Sequence, residues 1–334
     1  MGLLQSQPEF VQVLADKSVR AGDTVTLQCE VNTEWLTVMW EKDGQKLHCV
    51  HDKHIMKQEG QLLTLEIRNA EEKDDGSQGQ MVTELEAFVI QRDEVRELNF
   101  LLCGPIGAGK SSIINTINTI FKKRIYVTHQ ASSFTARFQK CKVGTAQDRF
   151  LPFVLYDTMG LDSGDNAGMH PDDFITAVKG HMKEGYQFNP INPLNENSPY
   201  YRENPSLSDR MHCLVFVIPA DRISRMDSVI IQKMKNIKNA ATAMGLPQVI
   251  LMTRVDQACT LTNNDLHYVY NSKKIKDKML ECQRALDIKM NCIFPVKNYH
   301  EETDISEDVN CLMLHALTRI VQWADDYVDK YSNN

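Results

Sequence analysis

Hydrophobic and polar positions follow two different patterns along this chain of 334 residues. From about residue 9 to residue 91, short runs of alternating apolar and polar side chains are separated by polar turns. Alternation of this kind is typical of β-strands with one buried face, and the spacing of the runs favours a small all-β sandwich. The predicted strands cover residues 11–14, 24–31, 36–41, 62–67 and 84–90.

From about residue 97 the pattern changes, and continuous apolar runs alternate with amphipathic stretches to the end of the chain. This alternation predicts an α/β domain over 97–331, in which helices flank a six-stranded, mostly parallel sheet. Strands are predicted at 98–103, 135–143, 150–156, 212–218, 247–252 and 292–296, and helices at 111–121, 227–244, 266–286 and 308–331. Residues 162–209 are rich in Asn, Pro and Tyr, so we predict an insertion there that is either functional or disordered.

Composition and charge narrow the class of protein. Apolar residues make up 42% of the chain and charged residues 24%, which is ordinary for a soluble globular protein. A formal net charge of −7 gives little attraction to nucleic acid, so no nucleic-acid partner is expected. No apolar run is long enough to span a bilayer. Gly2 lies in a loose N-myristoylation pattern, which we interpret as a chance match.

The nine cysteines are scattered and form no Cys-x-x-Cys pair. Zinc sites usually depend on such pairs, so zinc is not expected. The number of cysteines is odd, and several lie in apolar strand-like runs, where a free thiol behaves as a small hydrophobic side chain. We therefore expect a reducing compartment, the cytoplasm.

The first region carries the core pair of an immunoglobulin fold. Cys29 is followed by Trp40, in the order of the inward cysteine and the core tryptophan of that fold. Asp74-Asp75-Gly76 comes after a predicted strand. Residues 8–92 therefore resemble an immunoglobulin module of the I-set type, in which an Asp-x-Gly-x-Tyr-x-Cys motif opens a late strand.

The motif departs from the I-set pattern at two positions. Gln78 stands where the resemblance places the tyrosine, and Gln80 stands where it places the second cysteine. Cys49 comes too soon after Cys29 to replace that cysteine. The resemblance therefore implies a module that lacks the inter-sheet disulfide.

The second region contains the complete phosphate-binding motif G-x-x-x-x-G-K-[ST], between a predicted strand and a predicted helix. Gly107 and Gly109 allow successive amides to turn toward one point. Lys110 would reach the β- and γ-phosphates of a nucleotide, and Ser111 would bind Mg²⁺. The predicted phosphate-binding residues are Gly104, Gly107, Ala108, Gly109, Lys110, Ser111 and Ser112.

A second motif lies at the end of the predicted strand 150–156. Asp157-Thr158-Met159-Gly160 has the D-x-x-G form that is typical of GTPases. Asp157 would hold Mg²⁺ through water, and the amide of Gly160 would contact the γ-phosphate. Directly after an apolar strand and downstream of a phosphate-binding loop, this short motif becomes a strong indication of a GTPase.

The loop after the first helix of this domain is expected to supply a further oxygen ligand for Mg²⁺. We predict Thr135, because it directly precedes a strand. Three alternatives stay open, namely Thr128, Ser132 and Ser133. The predicted metal ligands are therefore Ser111, Thr135 and Asp157.

Recognition of guanine needs a carboxylate that accepts hydrogen bonds from N1 and N2 of the base. Thr253-Arg254-Val255-Asp256 ends a predicted strand and has the form N/T-K-x-D, with Asp256 as this carboxylate. Arg254 replaces the usual lysine, and an arginine could stack on the purine. After the last predicted strand, Lys297 and Asn298 are expected to support the base.

Hydrolysis has less support in the sequence than binding. Leu161 occupies the position at which Ras-like GTPases have the Gln that orients the attacking water. A leucine cannot hydrogen-bond water, so the catalytic group is unknown, with His129 and Arg137 left open as helpers. We therefore predict binding of GTP or GDP, with slow or partner-dependent hydrolysis.

The second region resembles the G domain of the interferon-induced protein 44 and 44-like family. The resemblance is carried by residues 103–112, 127–131, 186–190, 208–213, 253–256 and 323–326. It implies a P-loop GTPase fold in a cytoplasmic, interferon-inducible GTP-binding protein of antiviral or innate immune responses. The immunoglobulin-like first region departs from the usual pattern of that family.

Two other functions stay open. A P-loop ATPase would share the phosphate-binding motif, but the D-x-x-G motif and Asp256 favour guanine. A non-catalytic scaffold would use the immunoglobulin-like module to bind a protein partner, with nucleotide only stabilising the second domain. Leu161 is consistent with that scaffold, and a homodimer through the G domain is a further interpretation.

Overall fold

The structure is a computed structural model in which the chain divides into two compact units, Met1–Thr83 and Glu84–Asn334. The residues that it describes are 10–12, 22–32, 40–42, 45–46, 53–68, 70, 77–127, 136–164 and 167–332. The division falls between residues 83 and 84, whereas the sequence placed the domains at 8–92 and 97–331. Those limits stay a prediction.

The first unit contains six described strands. They are β1 (Phe10–Gln12), β2 (Val25–Val31), β3 (Glu41–Lys42), β4 (Gln45–Lys46), β5 (His54–Glu59) and β6 (Leu62–Ile67). Four of them form an antiparallel sheet in the order β1-β2-β6-β5, and β3 pairs with β4. The sequence pattern did not predict β5, because its side chains show no alternation of buried and exposed positions. Its pairing with β6 determines its conformation.

Trp40 lies at the centre of the described core of this unit. It packs against two small clusters, which consist of Val25, Leu65 and Ile67 and of Cys29, Val31 and Leu63. These residues alternate along β2 and β6, so they share one face of the sheet. Cys29 is buried and free, in agreement with the predicted lack of an inter-sheet disulfide.

The strand predicted at 84–90 is wrong. Ser77–Ala87 forms a helix, α1, which also contains Gln78 and Gln80. Its last residues, Glu84 to Ala87, have high helix propensity. A helix pairs its backbone groups locally, so it needs neither the tyrosine nor the cysteine that anchor this part of a complete I-set module.

The second unit contains one six-stranded sheet, as predicted. Its strands are β7 (Leu98–Cys103), β8 (Gln139–Gly144), β9 (Phe150–Asp157), β10 (Cys213–Pro219), β11 (Gln248–Thr253) and β12 (Ile293–Pro295). Their order is β12-β11-β10-β7-β9-β8, and every pair is parallel except β8 with β9. The long apolar runs predicted these strands well, because both faces of the central strands are buried.

The helices of this unit are α2 (Lys110–Lys122), α3 (Pro171–Val178), α4 (Ser228–Ala243), α5 (Val255–Ala258), α6 (Thr260–Asn264), α7 (Lys273–Leu286) and α8 (Glu307–Ser332). The helix predicted from residue 266 begins later, at Lys273. Ser272 caps the N-terminus of this helix, because its side chain accepts a hydrogen bond from the amide of Ile275. Across the described residues, none of these helices combines the length and apolarity needed to cross a membrane.

The described part of the insertion 162–209 is folded onto the sheet. The Phe138 amide donates to the Tyr186 carbonyl at 2.8 Å, and the Phe188 amide donates to the Ala136 carbonyl at 3.0 Å. These bonds attach the insertion to the chain just before β8. Tyr186 and Phe188 are buried, so the insertion extends the hydrophobic core of the domain.

His212 joins the insertion to the start of the central strand β7. Its buried ring accepts a hydrogen bond at Nδ1 from the Asn99 amide, at 2.9 Å. Nε2 lies 3.0 Å from the Leu207 carbonyl, so this nitrogen carries the proton and donates. Burial lowers the pKa of His212 to about 4, although the Leu207 carbonyl opposes this shift. The ring is therefore neutral when the protein is folded.

We expect the stability of the second unit to fall as the pH decreases from about 6.5 to about 4. In this window the unfolded chain binds a proton at His212 that the folded chain excludes. The slope from this group is at most about 1.4 kcal/mol per pH unit. Denaturant unfolding of the chain and of His212→Gln would show this as a stability difference that narrows with falling pH. A constant difference would contradict the assignment.

Candidate functional site

The carboxyl ends of four neighbouring strands lie side by side at one end of the six-stranded sheet. These strands are β7, β9, β10 and β11, and they end at Cys103, Asp157, Pro219 and Thr253. The chain builds β8 and β9 on one side of β7 and then crosses to build the other strands on the opposite side. Open α/β sheets bind ligands at such a reversal of strand order.

Glycines determine the path of the loop that follows β7. A Cβ on Gly104 would lie 2.2 Å from the Val217 carbonyl oxygen, so no side chain fits there. Gly107 and Gly109 have φ angles of 72° and 98°, in the left-handed region that favours glycine. The spacing of these three residues in the motif therefore has a backbone cause.

Lys110 is the first residue of α2, and its side chain folds back beneath the loop. Its Nζ donates to the carbonyls of Gly104 and Pro105, at 3.2 and 3.3 Å. Burial lowers the pKa of Lys110, whereas the nearby Asp157 carboxylate raises it. The ammonium thus lies at the base of a loop whose amides precede a helix N-terminus, an arrangement suited to anions.

Ser111 and Asp157 are in direct contact. The Ser111 hydroxyl donates to Asp157 Oδ2 at 2.6 Å, and the Thr158 amide donates to Asp157 Oδ1 at 3.0 Å. The Thr158 hydroxyl also donates to the Leu102 carbonyl, which fixes the end of β9 against β7. A hydroxyl and a carboxylate oxygen side by side are the hard donors that Mg²⁺ prefers.

The D-x-x-G segment lies directly on the glycine loop. The Ile106 amide donates to the Leu161 carbonyl at 3.0 Å, and the Leu161 amide donates to the Gly104 carbonyl at 2.9 Å. A Cβ on Gly160 would lie 2.6 Å from the nitrogen and Cα of Ile106, so this position also requires glycine. Leu161 is fully buried in the core.

The last residue of β11 and the residue directly after it also reach the glycine loop. The Thr253 hydroxyl donates to the Ala108 carbonyl, and the Arg254 Nη2 donates to the Gly107 carbonyl, both at 2.8 Å. Asp221 pairs with Arg254 Nη1 at 3.7 Å. The Arg254 guanidinium is therefore directed at the loop, and its predicted stacking on a purine stays a prediction.

The remaining predicted base-binding residues lie around the same loop and beyond it. Asn298 donates through Nδ2 to the Gly109 carbonyl at 3.3 Å. Asp256 is half-buried in the first turn of α5. Lys297 instead pairs with Glu302, at 2.7 Å. Burial opposes ionisation of Glu302, but the His300 amide and Lys297 outweigh it and lower its pKa to about 2.

Some predicted residues lack a described role at this site. Ser112 follows in α2 and is half-buried. Arg137 is exposed and pairs through its main chain with Gln187 of the insertion. Residues 128–135 lie outside the described residues. They include the preferred metal ligand Thr135, its three alternatives and His129, so the roles suggested for these residues stay predictions.

The sequence reasoning missed three residues that contact the site. Asp221 pairs with Arg254, Thr116 donates to the Asn298 side chain at 3.4 Å, and Lys233 donates to the segment after the D-x-x-G motif. Asp221 could have been found, because, like Asp157, it is an acidic residue close to the carboxyl end of an apolar strand. Thr116 and Lys233 lie within helices, where no local pattern marks them.

Known proteins resemble the two units separately. The immunoglobulin I-set domain model matches residues 8–84. Human interferon-induced protein 44 is 34% identical over 242 residues, which cover 70% of this chain and 54% of the relative. The human 44-like protein is 31% identical over 244 residues, covering 71% of this chain and 54% of the relative. Domain I10 from titin is 21% identical and covers 21% of this chain and 80% of that one, with a TM-score of 0.21.

A match of 242 residues is too long for residues 8–84 and must extend through most of the second unit. The chain is a homologue of interferon-induced protein 44. It spans about half the length of the curated relatives that it matches. This homologue therefore combines an I-set domain with a region shared with interferon-induced protein 44.

We expect Leu161→Gln to destabilise the second unit of this homologue by about 3 kcal/mol, because it places an amide in an apolar core. The control is Leu261→Gln, since Leu261 is 45% exposed, and its effect should stay within about 0.5 kcal/mol. Denaturant unfolding of both variants measures the difference. Equal unfolding midpoints would show that Leu161 is not a core residue.

Proposed function

We propose that the second unit binds guanine nucleotide together with Mg²⁺. The observation that carries this proposal is the convergence of three distant segments on residues 104–111. Asp157, Thr253, Arg254 and Asn298 all hydrogen-bond to that loop or to its last residue. A glycine-rich turn with only a structural role would not require a buried lysine, a serine–aspartate pair and three further contacts.

The phosphates would lie on the amides of the loop and at the N-terminus of α2. Gly107 and Gly109 hold the loop in left-handed conformations, which lets neighbouring N–H groups point to a common anion. Lys110 supplies the positive charge beneath the loop, because its ammonium already lies at the Gly104 and Pro105 carbonyls.

Ser111 and Asp157 fit a magnesium ion through their adjacent oxygens. When bound, Mg²⁺ would neutralise part of the charge that develops on the phosphates. Thr135 stays the predicted third ligand. Asp157 is oriented for this role by the Thr158 amide, which leaves its second oxygen facing Ser111.

The base would lie beside α5 and the loop after β12. Asp256 is proposed to accept from N1 and N2 of guanine, and Asn298 stands at the Gly109 carbonyl, between that region and the phosphate loop. Adenine has no 2-amino group and its N1 carries no proton, so it offers neither of these donors to Asp256. We therefore propose a preference for guanine over adenine.

Hydrolysis would be slow or would depend on a partner. Leu161 is buried with its main chain on the glycine loop, so it cannot orient water at a γ-phosphate. The names of the relatives indicate proteins induced by interferon. We propose that this homologue likewise acts in an interferon-induced antiviral response, in the cytoplasm.

A second candidate is a non-catalytic scaffold in which the I-set domain binds a protein partner. The burial of Leu161 favours it. Phosphate release from GTP, measured over a range of protein concentrations, separates the two. Release whose specific rate rises with concentration would indicate a GTPase that acts as a homodimer, whereas no release at any concentration would favour the scaffold.

We expect Lys110→Met to lower the affinity for GTP and GDP by about hundredfold or more, because it removes a charge-assisted contact to phosphate but keeps the aliphatic stem. Titration calorimetry with GTP, GDP and ATP measures this. Lys122→Met is the matched control, since Lys122 ends the same helix and lies over the Tyr126 ring. Unchanged affinity in Lys110→Met would refute the site.

We expect Asp256→Asn to weaken GTP binding and to favour xanthosine triphosphate by about tenfold or more. Xanthine carries a carbonyl in place of the 2-amino group, so an amide complements it where a carboxylate complements guanine. Asp277→Asn, at an exposed position on α7, is the control for the lost charge. Equal preferences in the two variants would remove Asp256 from the base site.

A further inference from the structure

This inference rests on the proposed nucleotide binding and concerns residues 160–164, called here the clasped segment. One side of the segment is joined to the glycine loop by a short parallel pairing between Pro105 and Leu161. The two hydrogen bonds of this pairing involve the Leu161 amide and carbonyl. The Met169 amide also donates to the Gly160 carbonyl at 3.0 Å, so the start of the segment is fixed by its main chain.

Lys233 holds the other side of the clasped segment. This residue lies on α4, and its Nζ donates to the Asp162 carbonyl at 2.8 Å and to the Gly164 carbonyl at 3.2 Å. One half-buried ammonium therefore bridges two main-chain carbonyls directly after the D-x-x-G motif. A charged donor makes a stronger hydrogen bond than a neutral one, because its charge adds to the attraction.

In the clasped position, the segment occupies part of the phosphate cradle. The Ile106 amide is used by the Leu161 carbonyl, so it is not free to bind a phosphate oxygen. Gly160 lies so close that a Cβ on it would be 2.6 Å from the main chain of Ile106 and 2.8 Å from Ile106 Cγ1. Lys110, Ser111 and the later amides of the loop are not covered by these contacts.

Binding of a nucleoside triphosphate at this site therefore costs more free energy than binding of a nucleoside diphosphate. The diphosphate would use the later loop amides and Lys110 without moving the clasped segment. The triphosphate would place a further phosphate between the loop and the Gly160 amide, where the two main chains are now in contact. Residues 160–164 are thus in equilibrium between the clasped position and an open position. A ligand shifts this equilibrium only by the difference between its affinities for the two positions.

We propose that Lys233 is a specificity-determining residue that biases the site toward guanosine diphosphate over guanosine triphosphate. It acts as a positioning residue, since it touches the clasped segment and not the nucleotide. Its two hydrogen bonds stabilise the position of residues 160–164 that must change when a triphosphate binds. Removal of the ammonium lowers the cost of that change and leaves the diphosphate site intact.

The test is calorimetric titration of the full chain with GDP and with the hydrolysis-resistant GTP analogue GMPPNP, both with Mg²⁺. Lys233→Met should bind GMPPNP about tenfold more tightly, equivalent to about 1.4 kcal/mol, while its GDP affinity stays within about twofold of the original. Lys233→Arg keeps a charged donor and should restore most of the original ratio. Lys235→Met, two residues further along α4, is the matched control and should change neither affinity.

Hydrogen exchange of the nucleotide-free chain gives a second readout. Amides of residues 160–164 should exchange faster in Lys233→Met than in Lys235→Met, because the segment opens more often. If both nucleotides bind the original chain but Lys233→Met leaves their affinity ratio unchanged, this inference is wrong and the proposed function stands. If neither nucleotide binds the original chain, both proposals fail.

Discussion

The glycine loop can lie at the carboxyl end of the central sheet only because residue 104 has no side chain. The Val217 carbonyl of the neighbouring strand occupies the space that a Cβ would need. This close approach brings the loop level with the ends of β9 and β11, where Asp157 and Thr253 are within hydrogen-bond distance of it or of the helix that it opens. The close packing of β7 against β10 is therefore a precondition for the site, and the charged groups act only once this packing is in place.

The sequence was most informative where backbone constraint and side-chain chemistry coincide. Apolar strands such as β10 are buried on both faces and were recognised from their continuous apolar runs. The loop motif could be recognised because Gly107 and Gly109 must adopt left-handed angles and because Lys110 follows them. Over residues 77–87, by contrast, α1 was missed because its residues are compatible with either a strand or a helix.

Contacts between distant segments could not be read from local patterns. The position of Lys233 on α4 becomes meaningful only when residues 162 and 164 fold against it. The same holds for Asp173, whose side chain accepts a hydrogen bond from the Leu194 amide at 2.7 Å. Burial raises its pKa to about 6, although the Leu194 amide and His170 oppose the shift. Such effects come from tertiary packing, so they need the structure.

The free thiol of Cys29 has a consequence for where the first unit can fold. Its sheet is held by side chains packed around Trp40, with no covalent link at Cys29. Reduction therefore has no bond to break at this position, and the local redox potential does not decide whether these strands stay together. The domain lacks the entropic stabilisation that a cross-link provides. In return, its sheet does not depend on whether the surroundings are oxidising or reducing.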